Sequence, residues 1–291
     1  MRAVLLVAFS ACLAGAAIPA GALTVTDDAG VELQFEGPAR RVVALSPHLT
    51  EMMYAIGAGA LLVGVARGSD FPAAAAGLPG IGDASGLDFE RILYVRPDLV
   101  LAWGSGNRPV DIARLRALGL RVLVLEARRL EDVPRHLRTL GALTGLNDPA
   151  QALARDFEQR LRALRVRYAG RIGPRVLFEI WHRPLFTVNG EHIVSRVLEL
   201  CGARNIFSGL PRLAGEVSLE QVLVLNPDAI VIGSEADDAG VQNWLKFSYL
   251  QAVRSGRVLR VPADLITRQT PRIIEAAERL CAGLYDAPAT P

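Results

Sequence analysis

The chain has 291 residues, of which 51% are hydrophobic, so it can bury one large core or two cores of ordinary size. This composition excludes a disordered protein. The 32 basic and 30 acidic residues are mixed along the chain, so no basic surface indicates nucleic acid or an anionic membrane as a partner.

The N-terminus has the pattern of a secretory signal peptide. Arg2 precedes an apolar run at 3–13, and small residues then lead to an A-x-A cleavage pattern at 20–22. We therefore predict that residues 1–22 are removed and that the rest of the chain is exported. Lipidation at Cys12 is an alternative, but the residues before it match a lipobox poorly. No later segment has the roughly 18 uninterrupted apolar residues of a membrane span.

Strands and helices are predicted to alternate through residues 23–147, which we assign to an N-terminal lobe. A short β-hairpin is expected around Asp27-Asp28-Ala29-Gly30. The remaining pattern predicts strands at 42–45, 62–66, 99–102 and 121–125, and helices at 47–58, 88–94 and 109–118. This alternation is typical of a mainly parallel sheet that is covered by helices.

One long amphipathic helix is predicted at 148–171, where apolar residues recur every three or four positions. At about 1.5 Å per residue it would span about 36 Å, enough to act as a stiff strut between two lobes. A C-terminal α/β lobe is predicted at 172–286, with strands at 175–180 and 258–261 and helices at 193–201 and 271–285. Residues 287–291 are expected to form a frayed tail.

A short unit occurs twice in the chain. The segment DFERILYVRPDLVLA at 88–102 returns as SLEQVLVLNPDAIVI at 218–232. Each copy is typical of a small helix, a Pro-Asp turn that ends it, and a strand that is buried on both faces. The duplication predicts two related α/β lobes that face each other across a ligand cleft.

Glu90 and Glu220 are in register in the two copies. Each lies in the first turn of its predicted helix, where the helix dipole favours a carboxylate, and locally this explains them. Their recurrence in both lobes also places two exposed carboxylates on one surface. We therefore predict that they dock the protein on a symmetric basic partner.

Side chains with binding chemistry follow predicted strands, at the edge of the sheet where ligands of α/β proteins usually lie. They are accompanied by no common catalytic or nucleotide-binding motif. His48 is either a ligand contact or a surface histidine near a helix start. Trp103 precedes a tight turn at Gly104-Ser105-Gly106, and its indole either packs in the lobe or presents a flat face to a ring-shaped ligand.

The second lobe offers further candidates. Trp181, His182 and Phe186 follow its first predicted strand, and we expect ligand contact by at least one of the three. Asp264 and Arg268 precede the last helix, in a loop that is predicted to overhang the cleft. They either bind amide or carboxylate groups of a ligand or form an ordinary surface ion pair.

Two cysteines remain once the signal peptide is removed. Cys201 and Cys281 both lie in the C-terminal lobe, and an even number in an exported protein favours a disulfide. On the chain-entropy model such a bridge stabilises the fold by roughly 4–5 kcal/mol. Two buried free thiols are the alternative.

The chain resembles the periplasmic cobalamin-binding proteins of ABC importers, a group of substrate-binding proteins whose two lobes are joined by a rigid helix. The likeness runs from about Arg40 to Tyr285. It is carried by the segments RVVALSPHLTEMMYAIGAG, SDFP, LDFERILYVRPDLVLAWGSGN, PLFTVNGEHI, VLELCGA, VSLEQVL and TPRI. The resemblance implies a receptor, not an enzyme, that captures cobalamin or a related corrinoid and has no cofactor of its own.

The same resemblance implies roles for individual residues. It matches Glu90 and Glu220 to glutamates that pair with arginines of a membrane permease dimer, and Cys201 and Cys281 to a family disulfide. The positions that line the corrinoid cleft of the family match Trp103, Asp264 and Arg268.

The chain also departs from the family pattern. Gly68, Ala84 and Ala214 stand at or near positions that can carry aromatic residues in the family. This chain therefore has fewer aromatic side chains to contact the ligand. His48 and the Trp181-His182 pair are expected to compensate for it.

Other ligands and functions stay open. The departures could instead indicate a receptor for haem or a ferric siderophore, with His48 or His182 as an axial metal contact. An exported metal-dependent hydrolase would require His48, His182 and Asp264 to converge on one substrate atom or water. A receptor for a free metal ion is not favoured, because the chain has only four histidines and such sites usually gather several ligands. We expect a monomer.

Overall fold

The computed structural model describes residues 23–233 and 239–286. The predicted signal peptide at 1–22, with Cys12, and the predicted tail at 287–291 lie outside the described residues. Two α/β lobes are joined by one long helix, so the predicted fold class is confirmed.

The first lobe has a four-stranded parallel sheet between layers of helices. Its elements are β1 (Leu23–Thr26), β2 (Glu32–Phe35), β3 (Val42–Ala44), α1 (Pro47–Ala55), β4 (Leu62–Val65), β5 (Gly82–Asp83), β6 (Gly86–Leu87), α2 (Phe89–Tyr94), β7 (Leu99–Trp103), α3 (Pro109–Ala117), β8 (Val122–Leu125) and α4 (Asp132–Thr144). The sheet order is β4-β3-β7-β8. Its central strands are almost wholly buried, which is why they have continuous apolar sequences instead of alternating ones.

No bounds were predicted for helix α4 from the sequence. Its residues Val133, Leu137 and Leu140 recur with helical spacing and are buried, so the signal was present. Pro134 stands in the first turn, where proline is tolerated. Gly145 ends the helix with a φ of 76°, a conformation that favours glycine.

Helix α5 (Asn147–Tyr168) follows and joins the two lobes. Near its start, Ala150 and Ala154 pack in the core of the first lobe. Farther along, Phe157 and Leu161 pack in a cluster that is formed mainly by the second lobe. Because one continuous helix contributes to both cores, it is the strut that the sequence predicted. It ends three residues earlier than predicted, where the backbone becomes extended at Ala169.

The second lobe repeats the architecture of the first. Its elements are β9 (Arg175–Glu179), β10 (Phe186–Val188), α6 (Ile193–Leu200), β11 (Arg204–Asn205), β12 (Ala214–Glu216), α7 (Leu219–Leu225), β13 (Ala229–Gly233), α8 (Ala239–Leu245), α9 (Gln251–Arg254), β14 (Val258–Val261), α10 (Ala263–Thr267) and α11 (Ile273–Asp286). Its parallel sheet has the order β11-β9-β13-β14. The duplicated strands β7 and β13 therefore occupy equivalent places.

The duplication extends to hydrogen bonds that the sequence comparison did not predict. The carboxylate of Asp98 accepts from the backbone N–H of Arg41 at 3.1 Å, and that of Asp228 accepts from Arg175 N–H at 2.8 Å. The two arginines in turn donate to carbonyl oxygens at the ends of the repeated helices, those of Val95 and Leu225. The Pro-Asp turn thus ties each repeated helix to the neighbouring strand.

A disulfide joins Cys201 and Cys281, and both residues are fully buried. Cys201 follows α6, and Cys281 lies in α11, so the bridge holds two helices of the second lobe together. The predicted pairing is confirmed, and the alternative of two free thiols was wrong.

Candidate ligand-binding cleft

Trp103 ends β7 and is half-buried. Its backbone N–H donates to Asn107 Oδ1 at 2.7 Å, and Asn107 Nδ2 donates to the carbonyl of Leu45 at 3.0 Å. A β-carbon on Gly106 would lie only 1.7 Å from the indole ring. The glycine-rich turn therefore folds back against the tryptophan and fixes where the indole lies.

His48 is buried against the same indole. Its ring contacts Trp103 edge-on, with centroids 5.2 Å apart, and its Nδ1 lies 3.0 Å from Ser46 Oγ. Burial lowers the pKa of His48 to about 3, and nearby positive charge from His136 and Arg268 adds to the effect. The ring is therefore neutral at physiological pH and supports Trp103 from the side.

Trp181 and Phe186 lie together where β9 ends. Phe186 N–H donates to the Trp181 carbonyl at 2.9 Å, which closes a tight turn between them. Trp181 is 65% exposed, whereas Phe186 is half-buried. An indole on the surface leaves a large apolar area in water, which a flat ligand could cover.

His182 belongs to a different group of side chains. Its Nδ1 lies 3.3 Å from Oε1 of the buried Glu179, and Trp244 Nε1 donates to the other carboxylate oxygen at 2.5 Å. Burial raises the pKa of Glu179. Glu179 and Trp244 were not among the predicted site residues.

Arg268 joins the two lobes. It pairs with Asp264 on its own lobe at 2.6 Å and with Asp70 of the first lobe at 2.9 Å. The expectation of a loop here was wrong, because Asp264 lies in helix α10 and Arg268 directly follows it. The helix fixes the two side chains one turn apart, so they can pair.

Arg272 makes a second bridge between the lobes. It binds both carboxylate oxygens of Glu51, with contacts of 2.7 and 2.5 Å, and its guanidinium lies 3.6 Å from the ring centre of Phe71. Neither partner was predicted. Glu51 occurs on the buried face of α1, and a buried carboxylate requires a charged or hydrogen-bonding partner. From the sequence, this requirement could have indicated that Glu51 has a partner, although not which one.

A cavity of about 630 Å³ lies between the lobes, and its size is ordinary for a small-molecule site. Asp70 and Phe71 line it from the first lobe, and Asp264 and Arg272 line it from the second. Of the predicted ligand contacts, only Asp264 lines this cavity. Trp103 and Trp181, at the end of β7 and just after β9, do not line this cavity.

Glu90 and Glu220 are both exposed, each in the first turn of its short helix. Asp88 caps the first helix by accepting from Arg91 N–H at 2.9 Å. Ser218 caps the second in the same way, with Gln221 as its partner. The backbone N–H of Glu220 and the Ser218 hydroxyl lower the pKa of the Glu220 carboxyl, so it is charged at neutral pH.

The three residues of the hydrolase alternative have different neighbours. His48 contacts Ser46 and Trp103, His182 contacts Glu179, and Asp264 pairs with Arg268. Among the residues that the structure describes, no three histidine, cysteine or acidic side chains form a group that could hold a metal ion.

A family profile described as periplasmic binding protein matches residues 42–265. The chain belongs to the periplasmic binding protein family. The vitamin B12-binding protein of Vibrio cholerae serotype O1 (strain ATCC 39541) is 35% identical over 248 residues, which are 85% of this chain and 90% of that protein. These matches confirm the resemblance seen in the sequence.

Solved structures of the family agree with this fold. The periplasmic vitamin B12 binding protein of Vibrio cholerae is 34% identical with a TM-score of 0.81, covering 86% of this chain and 98% of its own. A periplasmic heme binding protein from Pseudomonas aeruginosa is 30% identical with a TM-score of 0.75, covering 87% and 95%. No helix within 23–233 or 239–286 is both long and apolar enough to cross a membrane.

Proposed function

We propose that this protein is a periplasmic receptor that captures cobalamin or a related corrinoid and delivers it to an ABC importer. The observation that carries the proposal is the likeness to the vitamin B12 binding protein of Vibrio cholerae, at 34% identity and a TM-score of 0.81 over 86% of the chain. Coverage of both lobes matters, because the cleft is formed by both.

The corrinoid is proposed to lie against the exposed indole of Trp181, with Trp103 and Phe186 as further aromatic contacts. The Nε1 of Trp103 is buried without a hydrogen-bond partner among the described residues. A ligand oxygen that accepted from it would remove the cost of that unpaired donor. His48 is proposed to act by holding the Trp103 ring.

Asp264 and Arg268 are proposed to bind polar groups at the rim of the ligand. In this structure Arg268 is shared between Asp264 and Asp70, so a ligand amide or carboxylate could replace one of these partners without leaving the guanidinium unpaired. The cobalt belongs to the cargo, and we propose no cofactor for the protein itself.

Export and delivery complete the proposal. The predicted signal peptide at 1–22 would place the chain in the periplasm, where the buried disulfide is stable. Glu90 and Glu220 would bind arginines of a permease dimer from equivalent helices of the two lobes. A monomer suffices, because one chain supplies both carboxylates.

A binding protein is favoured over an exported metal-dependent hydrolase. The family profile describes binding proteins, and His48, His182 and Asp264 have separate sets of partners. A hydrolase would need such groups to meet at one reacting atom.

Haem is the second candidate ligand. The heme binding protein from Pseudomonas aeruginosa is 30% identical with a TM-score of 0.75, and the thinner aromatic lining at Gly68, Ala84 and Ala214 departs from the corrinoid pattern. An axial contact from His182 would use its Nε2, since its Nδ1 lies 3.3 Å from Glu179 Oε1.

Uptake by cells tests the proposed function. We expect deletion of this gene to abolish accumulation of cyanocobalamin from nanomolar medium, and the intact gene to restore it. Glu90→Ala with Glu220→Ala should leave cobalamin binding by the purified protein unchanged and prevent the rescue. Unchanged corrinoid uptake in the deletion strain, together with loss of haem uptake, would favour the second candidate.

A further inference from the structure

Tyr94 and Val224 stand at equivalent positions of the two copies of the repeated unit, just as Glu90 and Glu220 do. Each of the two apolar residues is 84% exposed. A single exposed apolar side chain is ordinary on a protein surface. Here an exposed apolar side chain occurs at the same place in both lobes, one helical turn after the equivalent glutamate. This repetition indicates a shared function.

Helix geometry places the apolar and acidic side chains on one face. The buried residue of each helix is Ile92 in α2 and Val222 in α7. At about 100° per residue, positions two before and two after the buried one both point away from the core. Glu90 and Tyr94 occupy these positions in α2, so they are neighbours on the outer face, as residues four apart are in any helix.

The backbone that carries these side chains is fixed. The carbonyl oxygen of Val95, the residue after Tyr94, accepts from the Arg41 guanidinium at 2.6 Å. The carbonyl after Val224, that of Leu225, accepts from Arg175 at 2.5 Å. Each lobe therefore presents its apolar side chain on a helix end that is already ordered, which lowers the entropic cost of binding.

We propose that Tyr94 and Val224 are the apolar contacts of the docking surface whose charged contacts are Glu90 and Glu220. The partner is the permease dimer, which by its symmetry offers twice a basic side chain beside an apolar surface. This inference rests on the proposed docking role of the glutamates and adds the residues that hold the complex together. An anionic membrane fits less well, because it would set negative charge against the glutamates. A second copy that met this surface with its own equivalent surface would likewise bring carboxylates together.

The two kinds of contact act on different rates. Exposed carboxylates steer association and make it depend on salt. Apolar side chains that become buried act mainly on dissociation. The four residues should therefore divide into an association pair, Glu90 and Glu220, and a dissociation pair, Tyr94 and Val224.

Surface plasmon resonance on the importer, purified in lipid nanodiscs, tests this division. The chain is injected with and without cyanocobalamin at two salt concentrations. We expect Val224→Ser to raise the dissociation rate about fivefold and Tyr94→Ser about tenfold, with the salt dependence of association unchanged. Val166→Ser is the matched control, because Val166 is an 80% exposed helical valine outside both repeated units. This variant should change neither rate.

Glu90→Ala and Glu220→Ala separate this inference from the function on which it rests. If these variants slow association while the Tyr94 and Val224 variants dissociate like the parent, the apolar contacts are refuted and the docking carboxylates stand. If none of the four variants alters binding, both docking roles fail. Equal urea midpoints of parent and variants exclude damage to the fold. Self-association of the parent that the serine variants abolish would identify a second copy as the partner and overturn the proposal.

Discussion

Trp103 shows how single residues can set the position of one ring in the proposed site. The turn after β7 brings Gly106 against the indole face, while Asn107 links the end of β7 to Leu45. His48 touches the ring from the side. The ring is held by residues that need not touch a ligand themselves.

Gly106→Ala should displace the indole, because the new β-carbon would lie 1.7 Å from its ring. We expect affinity for cyanocobalamin to fall about tenfold or more, as for loss of a well-packed aromatic contact. Equilibrium dialysis measures it. Gly37→Ala is the control, since a β-carbon at Gly37 meets nothing within 4 Å. Equal affinities of the two variants would mean that Trp103 does not contact the ligand.

His48 should make the fold sensitive to acid. Burial lowers its pKa to about 3 in the folded state, whereas the unfolded ring is protonated near pH 6.5. Between about pH 6.5 and pH 3 the unfolded state thus binds the extra proton, so stability falls as the pH falls.

The variant His48→Asn lacks this titration, and its side-chain amide takes the place of Nδ1, which lies 3.0 Å from Ser46 Oγ. Between about pH 7 and pH 4 we expect it to lose about 3 kcal/mol less unfolding free energy than the parent, by urea titration at each pH. His192, whose pKa burial lowers to about 4, should maintain part of the acid sensitivity in both proteins. Parallel pH profiles of parent and variant would contradict a buried neutral His48.

At the scale of elements, the repeated unit carries the same backbone device in each lobe. Arg96 and Asn226 occupy equivalent positions after the two helices, and both have positive φ, 44° and 43°. This conformation is strained for residues other than glycine and is best tolerated by asparagine and aspartate. Asn226 also accepts from Gln251 N–H at 2.8 Å.

Arg96→Gly should therefore stabilise the protein by about 1 kcal/mol, because it removes the strain of positive φ. Asn226→Gly should not stabilise it, since this variant also loses the hydrogen bond to Gln251. Urea unfolding of both variants gives the two free energies. A destabilised Arg96→Gly variant would show that the arginine side chain stabilises the fold by more than the positive φ destabilises it.

The parts of the fold that could be predicted have strong local patterns. The buried strands are apolar runs, and α5 has apolar residues every three or four positions over 22 residues. The short helices α8, α9 and α10 have seven, four and five residues, too few for such a period. The pair of Glu51 and Arg272 joins positions 221 apart, a distance that no local pattern reports.

The candidate site likewise contains residues that local sequence patterns indicate and residues that only tertiary contacts reveal. The place of Trp103 at the end of a strand was predictable from the local pattern. The loop that was expected at Asp264 and Arg268 is instead a helix and its end. Trp244 was not predictable, because its role as a partner of Glu179 depends on tertiary contact.

At the scale of the whole molecule, α5 and the bridges between lobes restrict relative motion. The helix packs in both cores, and Arg268 and Arg272 pair with Asp70 and Glu51 across the lobe boundary. Closure by a large hinge rotation would have to break these contacts or bend a continuous helix.

Small-angle X-ray scattering should therefore detect little change of shape on ligand binding. We expect the radius of gyration with saturating cyanocobalamin to equal that of the free protein within error. Arg272→Gln, which removes the charged bridge to Glu51, is the informative comparison, because any hinge motion should be larger in it. A marked compaction of the parent protein would mean that α5 is not a rigid strut.

We propose that the cleft binds a corrinoid in preference to other metal chelates. Calorimetric titration of the chain without residues 1–22, with cyanocobalamin, haemin and a ferric siderophore in parallel, tests it most directly. We predict one-to-one binding of cyanocobalamin with a dissociation constant below about 1 μM, which corresponds to a binding free energy of about −8 kcal/mol or more negative. Binding of the other two chelates should be much weaker. Tight binding of haemin or of the siderophore, with no response to cyanocobalamin, would contradict the claim.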